Sequence, residues 1–171
     1  DRIVLEVGPG TGNLTKHILK KKPKKFYVVE KDDLLVKELK NNFCEKLIII
    51  NDDILKVKEE MLFNEKVIVF GNLPYNISTE ILTKWIINSK KNFWFENLIL
   101  MFQKEVADRI IAKFNTSNYG RLSIIANWKL NIEKIIDIMP ESFSPKPKVV
   151  SSLLFFTPKK NYKNIKDSKN L

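Results

Sequence analysis

The feature that most constrains the fold is a series of short apolar segments that alternate with amphipathic segments along the chain. The apolar segments predict five β-strands, at 3–8, 25–30, 46–52, 66–71 and 95–102. The amphipathic segments predict five helices, at 13–21, 32–43, 78–89, 103–114 and 119–130. Because the first strands are nearly continuous apolar runs, both of their faces must be buried. This pattern is typical of a mostly parallel sheet with helices on both faces.

Two further predicted strands, 132–139 and 148–156, break this alternation. Only the proline-containing loop 140–147 separates them. A parallel pair needs a crossover of a dozen or more residues, usually a helix, so these strands are expected to pair antiparallel. The sequence therefore predicts an α/β fold with seven strands, mostly parallel, and an antiparallel edge.

Short polar side chains mark two of the predicted helix starts. Asp32 or Asp33 precedes the segment 32–43, and Ser78 opens the segment 78–89. Such side chains accept hydrogen bonds from the unpaired N–H groups of a first helical turn. We therefore expect either aspartate, and Ser78, to act as helix caps.

The charge balance indicates a polyanionic partner. The chain has 171 residues, enough for one domain, and carries 30 basic against 20 acidic residues, a net charge of +10. Nucleic acid is the first candidate for the partner and a membrane surface the second. A general bias towards lysine, which is abundant in the segment 16–25, would explain the charge equally simply. No apolar run approaches the ~18 residues of a membrane span.

The scarcity of cysteine and histidine excludes a disulfide and a zinc site of the usual kind. Cys44 is the only cysteine and His17 the only histidine. A single cysteine cannot form an intrachain disulfide, and this pair cannot supply a zinc site of the usual kind. We expect Cys44 to be a small residue buried on a helix, and we expect no metal site.

The candidate site residues lie where the predicted strands end. The first strand is followed by a G-x-G-x-G loop, 8–12, and the second ends in Glu30. The third is followed by Asp52 and Asp53, and the fourth by the segment 71–79, "GNLPYNIST". Taken singly, the glycine loop could be a tight turn without a ligand, Glu30 a solvated acid, and the aspartates an Asx turn. Together they indicate a ligand site, because ligands of open α/β sheets bind beyond the carboxyl ends of the strands.

The chain resembles the class I S-adenosylmethionine-dependent methyltransferases and, more closely, the ribosomal RNA adenine N6-dimethyltransferases. The matching segments span nearly the whole chain: 5–15, 28–32, 51–55, 70–79, 100–110, 119–124 and 143–154. The resemblance implies a Rossmann-like methyltransferase core over 1–158. It also implies that 159–171 is a basic linker or tail leading towards a C-terminal helical domain, and that a cofactor-closing segment would precede the first strand.

The resemblance implies dimethylation of N6 of two adjacent adenosines near the 3′ end of small-subunit rRNA, in ribosome biogenesis, with S-adenosyl-L-methionine as cofactor. The partner would be small-subunit rRNA or a pre-ribosomal particle. We expect an intracellular monomer that does not bind membranes; cytoplasm, nucleolus, mitochondrion and plastid stay open. The alternative is a non-catalytic assembly or transcription factor that binds RNA or DNA on the same fold.

The resemblance also assigns roles to individual residues. Those that would bind or line the cofactor site are Glu6, Gly8, Gly10, Glu30, Lys31, Asp53, Ile54 and Asn72. Those that would hold the target adenine are Asn72, Leu73, Pro74, Tyr75 and Phe143.

The chemistry of an N6 amine explains why these residue types suit the task. Its lone pair is delocalised into the ring, so a site must favour a more tetrahedral nitrogen. The side-chain oxygen of Asn72 and the backbone carbonyl of Leu73 can accept hydrogen bonds from its two N–H groups. Pro74 restricts the backbone so that this carbonyl is held in place. Tyr75 offers a stacking ring, worth about 1–3 kcal/mol, and Phe143 would form the opposite wall.

Overall fold

The computed structural model describes residues 2–89 and 92–162. The strands are β1 Ile3–Val7, β2 Lys25–Glu30, β3 Ile48–Asn51, β4 Val67–Gly71, β5 Phe95–Gln103, β6 Leu130–Ile138 and β7 Ser151–Pro158. The α-helices are α1 Thr15–Leu19, α2 Asp33–Phe43, α3 Glu59–Leu62, α4 Ser78–Asn88, α5 Lys104–Ile110 and α6 Arg121–Lys129. Single 3₁₀ turns occupy Cys44–Lys46 and Pro140–Ser142. Most of the expected tail, 163–171, lies outside the described residues.

The strands form one seven-stranded sheet in the order β3-β2-β1-β4-β5-β7-β6. All pairs from β3 to β5 are parallel, whereas β7 pairs antiparallel with both β5 and β6. The predicted mostly parallel sheet with an antiparallel edge is therefore confirmed. The antiparallel strand β7 lies one position inside that edge, and β6 is the outermost strand.

Helices cover both faces of the sheet, as predicted. Alternate residues of β1 explain this, because Leu5 joins the core that includes α4, α5 and α6, while Val4 joins the core that includes α1 and α2. Both side chains are at least nine-tenths buried. The continuous apolar strands thus reflect a sheet with no solvent-exposed face at its centre.

The register brings the carboxyl ends of four strands level with one another. Val7 of β1 pairs with Val29 of β2 on one side and with Gly71 of β4 on the other. Glu30 pairs in turn with Asn51 of β3. The loops that follow these strands therefore lie along one edge of the sheet.

Several local predictions need correction. Helix α1 is shorter than the predicted 13–21, because its last turn tightens into i→i+3 bonds from Lys21 and Lys22 before Pro23. Helix α5 also ends before the predicted residue 114, and α3 was not predicted. Cys44 is exposed, because it lies at the end of α2 with a positive φ of 48°.

The two predicted helix caps differ in outcome. The Asp32 side chain accepts hydrogen bonds from the N–H groups of Leu34 and Leu35 and so caps α2 as expected. The prediction for Ser78 was wrong, because the N-cap position of α4 is Ile77. The Ser78 hydroxyl instead donates to the carbonyl of Tyr75, at 3.1 Å. The serine thus closes the preceding loop rather than the helix.

Within residues 2–89 and 92–162, none of the helices has the length and apolar content needed to cross a membrane.

Candidate cofactor and adenine site

The glycine loop between β1 and α1 requires glycine for its backbone conformation. Gly8, Gly10 and Gly12 have φ angles of 68°, 57° and 84°, in the left-handed region. The N–H of Gly8 donates to the carbonyl of Val29 at 3.0 Å, which fixes the loop to β2. A Cβ atom on Gly8 would lie 3.7 Å from the backbone oxygen of Asn72. The loop after β1 and the loop after β4 are therefore in close proximity.

A cleft of about 560 Å³ opens between these two loops. This volume is in the range of small-molecule sites. The cleft brings together four of the predicted site residues: Glu6, Gly8, Gly10 and Asn72. Sequence reasoning missed its apolar wall, which comes from β4, β5, β6 and β7: Phe70, Ile99, Met101, Ile138 and Leu153. Their apolar character was visible in the sequence, but their convergence depends on the strand order.

Glu6 lies in the wall of the cleft and is almost completely buried. Its Oε2 accepts a hydrogen bond of 2.7 Å from the hydroxyl of Thr15, the first residue of α1. Burial raises the pKa of the Glu6 carboxyl from 4.5 to about 7, and the Thr15 hydrogen bond opposes this only in part. Near neutral pH this carboxyl can therefore hold or release a proton.

Glu30 is turned towards the backbone of its own strand end. Its Oε1 accepts the N–H groups of Lys31 and Asp32, at 2.9 and 3.0 Å, and its Oε2 accepts that of Gly10, at 3.2 Å. A carboxylate has about four acceptor positions. In this conformation Glu30 can accept one further hydroxyl, and accepting both hydroxyls of a ribose requires one backbone N–H to be released.

Lys31 and Asp53 form an ion pair between the ends of β2 and β3, with 2.8 Å between Nζ and Oδ2. The Asp53 carboxylate also accepts the N–H of Leu55, and these two contacts, the lysine first, lower its pKa. Asp52 is exposed and accepts the N–H of Asp53. Ile54, immediately beyond, is buried. Lys31, Asp53 and Ile54 do not line the cleft described above. Glu30 connects them to it, because its carboxylate accepts the N–H groups of both Lys31 and Gly10.

The Asn-Leu-Pro-Tyr loop follows β4 directly. The Asn72 side chain is exposed at the cleft, whereas the Leu73 side chain is packed into the core, 2% exposed. The Tyr75 hydroxyl lies 2.7 Å from Oγ of Ser151, at the start of β7. This contact fixes the position of a half-buried ring, which is what a stacking platform requires.

Phe143 lies in the loop between β6 and β7 and is half-buried. Its neighbour Ser144 lines the cleft, so the loop reaches the site. Among the described residues, however, Phe143 makes no ring contact with Tyr75, and the two walls are not brought together as a pair. Ser151 was missed by the sequence reasoning, although a serine doublet opening an apolar strand was a usable signal.

Gly71, the last residue of β4, is required by packing and not by its backbone conformation. Its φ angle is not positive, so the backbone turn itself does not demand glycine. A Cβ atom there would lie 2.9 Å from side-chain atoms of both Leu100 and Leu73. Gly71 is thus needed because the Leu73 side chain folds back beneath the loop.

The described part of the chain contains no cluster of three or more His, Cys, Asp or Glu side chains that could hold a metal ion.

The family model described as ribosomal RNA adenine dimethylase matches residues 1–171. The ribosomal RNA small subunit methyltransferase A of Pelagibacter ubique (strain HTCC1062) is 68% identical over 168 residues. That alignment covers 98% of this chain and 64% of the relative, so the chain spans less than two thirds of the relative's length.

Solved structures give the same picture of the fold. A dimethyladenosine transferase from Plasmodium falciparum is 33% identical with a TM-score of 0.80, covering 94% of this chain and 57% of that one. The 23S rRNA methyltransferase ErmE is 24% identical with a TM-score of 0.76, covering 99% of this chain and 67% of that one. The second similarity supports the fold alone.

Proposed function

The chain belongs to the ribosomal RNA adenine dimethylase family, and we propose that it forms the catalytic part of an S-adenosyl-L-methionine-dependent rRNA dimethyltransferase. The substrate would be N6 of two adjacent adenosines near the 3′ end of small-subunit rRNA. The similarity to the ribosomal RNA small subunit methyltransferase A of Pelagibacter ubique and to the dimethyladenosine transferase of Plasmodium falciparum supports this assignment. The partner is then the rRNA or a pre-ribosomal particle.

The residues at the strand ends fit the proposed cofactor. The left-handed glycine loop leaves the floor of the cleft free of side chains at Gly8 and Gly10, where a ligand can approach the backbone. Glu30 retains one acceptor position for a ribose hydroxyl. Asp53 and the buried Ile54 would face the adenine, with Lys31 holding the aspartate in place.

One observation carries the proposal: the Asn-Leu-Pro-Tyr loop and the glycine loop share a cleft. The backbone oxygen of Asn72 would lie only 3.7 Å from a Cβ on Gly8, and both residues line the cleft. A base held by the first loop is thereby adjacent to a cofactor held by the second. Positioning reactants in this way can contribute several kcal/mol to the rate.

The chain's own groups orient the amine. When bound, S-adenosyl-L-methionine would supply a methyl group carried on a positively charged sulfur, and the sulfur would leave as a neutral thioether. The Asn72 side-chain oxygen and the Leu73 carbonyl would accept hydrogen bonds from the N–H groups of the amine. The proton that the amine loses after the transfer can pass to solvent. Tyr75, held by Ser151, would stack on the adenine, which offsets part of the cost of unstacking it from the RNA.

The test uses full-length protein, a small-subunit rRNA particle and isotopically labelled cofactor, with mass spectrometry of the rRNA. We expect Asn72→Ala to lose dimethylation by at least about 100-fold without a change in melting temperature, because the amine loses an acceptor. Asn76→Ala is the matched control, since Asn76 is an exposed asparagine four residues further along. Wild-type turnover in Asn72→Ala would refute the mechanism. Loss of methylation with unimpaired biological function would favour the non-catalytic alternative.

A further inference from the structure

A partly buried lysine of α4 binds the segment that follows β3. The Lys84 ammonium donates to the carbonyls of Ile54 and Val57, at 2.7 and 2.6 Å. The segment between Asp53 and Val57 has little regular structure of its own, with only two turn bonds to the carbonyl of Asp53, from Lys56 and Val57. Lys84 therefore contributes much of the hydrogen bonding that fixes this segment to the rest of the protein.

Glu59 provides the charge that makes this burial possible. Its carboxylate oxygens lie 2.8 and 3.1 Å from Nζ of Lys84, and its Oε1 also accepts the indole N–H of Trp85 at 2.6 Å. Glu59 is 4% exposed and the Lys84 side chain 16%. A buried ion pair gains little net stability over apolar residues of similar size, so stability alone does not explain its presence here.

The position of Lys84 on α4 suggests what the pair does. Helix α4 begins at Ser78, directly after the Asn-Leu-Pro-Tyr loop, whose Tyr75 carbonyl accepts the Ser78 hydroxyl. Two turns later the same helix presents Lys84 to the segment containing Ile54. One rigid element thus contacts both the loop assigned to the target adenine and the segment assigned to the adenine of the cofactor.

We propose that Lys84 is a positioning residue, which holds the backbone of Asp53–Val57 in the conformation that binds the adenosine end of the cofactor. This inference rests on the proposed function. Without the lysine, the segment would have to be ordered when the cofactor binds, and that conformational entropy would be subtracted from affinity.

The matched control is a buried lysine at the end of α6 that contacts α4. Lys129, 4% exposed, donates from Nζ to the carbonyls of Ile86 and Ser89 at the far end of α4. Lys129→Met removes two carbonyl contacts from α4 and lowers stability, but it leaves the segment after β3 untouched. It therefore separates a general loss of stability from a loss of positioning.

Lys84→Met alone would leave the Glu59 carboxylate buried without a cation, which can prevent folding. The test variant is therefore Glu59→Gln/Lys84→Met, in which the glutamine carbonyl oxygen still accepts from Trp85. Two quantities are measured on full-length protein: hydrogen exchange of the Lys56 and Val57 amides without cofactor, and the Kd for S-adenosyl-L-methionine by calorimetry.

In the double variant we expect faster exchange of both amides and a Kd raised about tenfold or more. In Lys129→Met we expect both quantities to stay at wild-type values despite a lower melting temperature. Unchanged exchange in the double variant would overturn the inference, as would faster exchange with an unchanged Kd. A wild-type protein without measurable affinity for the cofactor would instead refute the proposed function, and exchange would still decide whether Lys84 holds the segment.

Discussion

At the scale of single residues, two carboxylates at neighbouring strand ends are stabilised in different ways. Glu30 accepts three backbone N–H groups, so its negative charge is well solvated by the protein. Among the described residues, Glu6 accepts only the hydroxyl of Thr15, and burial raises the pKa of its carboxyl to about 7. Burial with a single hydroxyl donor leaves the Glu6 carboxylate poorly solvated, and this raises its affinity for a proton.

This difference predicts a pH dependence of stability. The unfolded chain releases the Glu6 proton near pH 4.5 and the folded protein near pH 7, so folding takes up a proton between these values. Stability from this group is therefore lost as the pH rises from about 4.5 to 7 and is constant above that. One pKa unit corresponds to about 1.4 kcal/mol. The difference in free energy of unfolding between Glu6→Gln and wild type should therefore grow in favour of the variant by roughly 2–3 kcal/mol as the pH rises from 5 to 8.

Urea denaturation without cofactor measures this effect, as the difference in free energy of unfolding between Glu6→Gln and wild type at each pH. Glu38→Gln, at an exposed position of α2, serves as the control and should follow the wild type throughout. A difference between Glu6→Gln and wild type that does not vary with pH would show that Glu6 is charged in the folded protein at all these pH values.

At the scale of elements, the glycine loop is packed against the end of α2. A Cβ atom on Gly12 would lie 2.3 Å from Cε2 of Phe43 and 2.6 Å from its Cζ, and the φ of 84° is itself unfavourable for alanine. The Leu39 side chain contributes a third contact, at 3.4 Å. The last glycine of the motif thus serves the contact between elements, whereas a Cβ on Gly10 would meet nothing within 4 Å.

We expect Gly12→Ala to lower the free energy of unfolding by about 2–4 kcal/mol, because backbone strain and overpacking add. Combining it with Phe43→Leu should recover about 1 kcal/mol or more relative to additivity, since the leucine leaves room for the methyl group. Gly120→Ala is the control: its φ is −171° and a Cβ there meets nothing within 4 Å, so it should cost less than about 1 kcal/mol. Strict additivity in chemical denaturation would argue against the steric contact.

Two errors of local prediction have identifiable causes in the structure. Serine is a residue type typical of helix N-caps, yet the Ser78 hydroxyl donates to the carbonyl of Tyr75 in the preceding loop. Helix α3 lacks the length and periodicity that reveal a helix, and it exists where Glu59 meets Lys84 of α4. The preceding loop therefore decides the role of Ser78, whereas a contact between elements, Glu59 with Lys84, accounts for α3.

At the scale of the whole molecule, the net charge of +10 should govern the approach to RNA. Lysine contacts to phosphate release counterions, so the affinity falls steeply with salt. For full-length protein we expect rRNA binding to weaken by at least about tenfold between about 50 and about 200 mM monovalent salt, as measured by filter binding. An affinity independent of salt would show that the basic surface does not contact the RNA backbone.

The sequence by itself determined the class of sheet, the edge of the sheet at which the candidate site lies and, through the family resemblance, the residue types proposed to meet a cofactor and an adenine. It could do so because apolar runs, glycines and prolines act over a few neighbouring residues. Only the tertiary structure decided that Ser151 holds Tyr75, 76 positions away, and that Lys84 holds Ile54, 30 positions away. Such contacts follow from strand order and register, which bring distant segments together and leave no periodic trace in the chain.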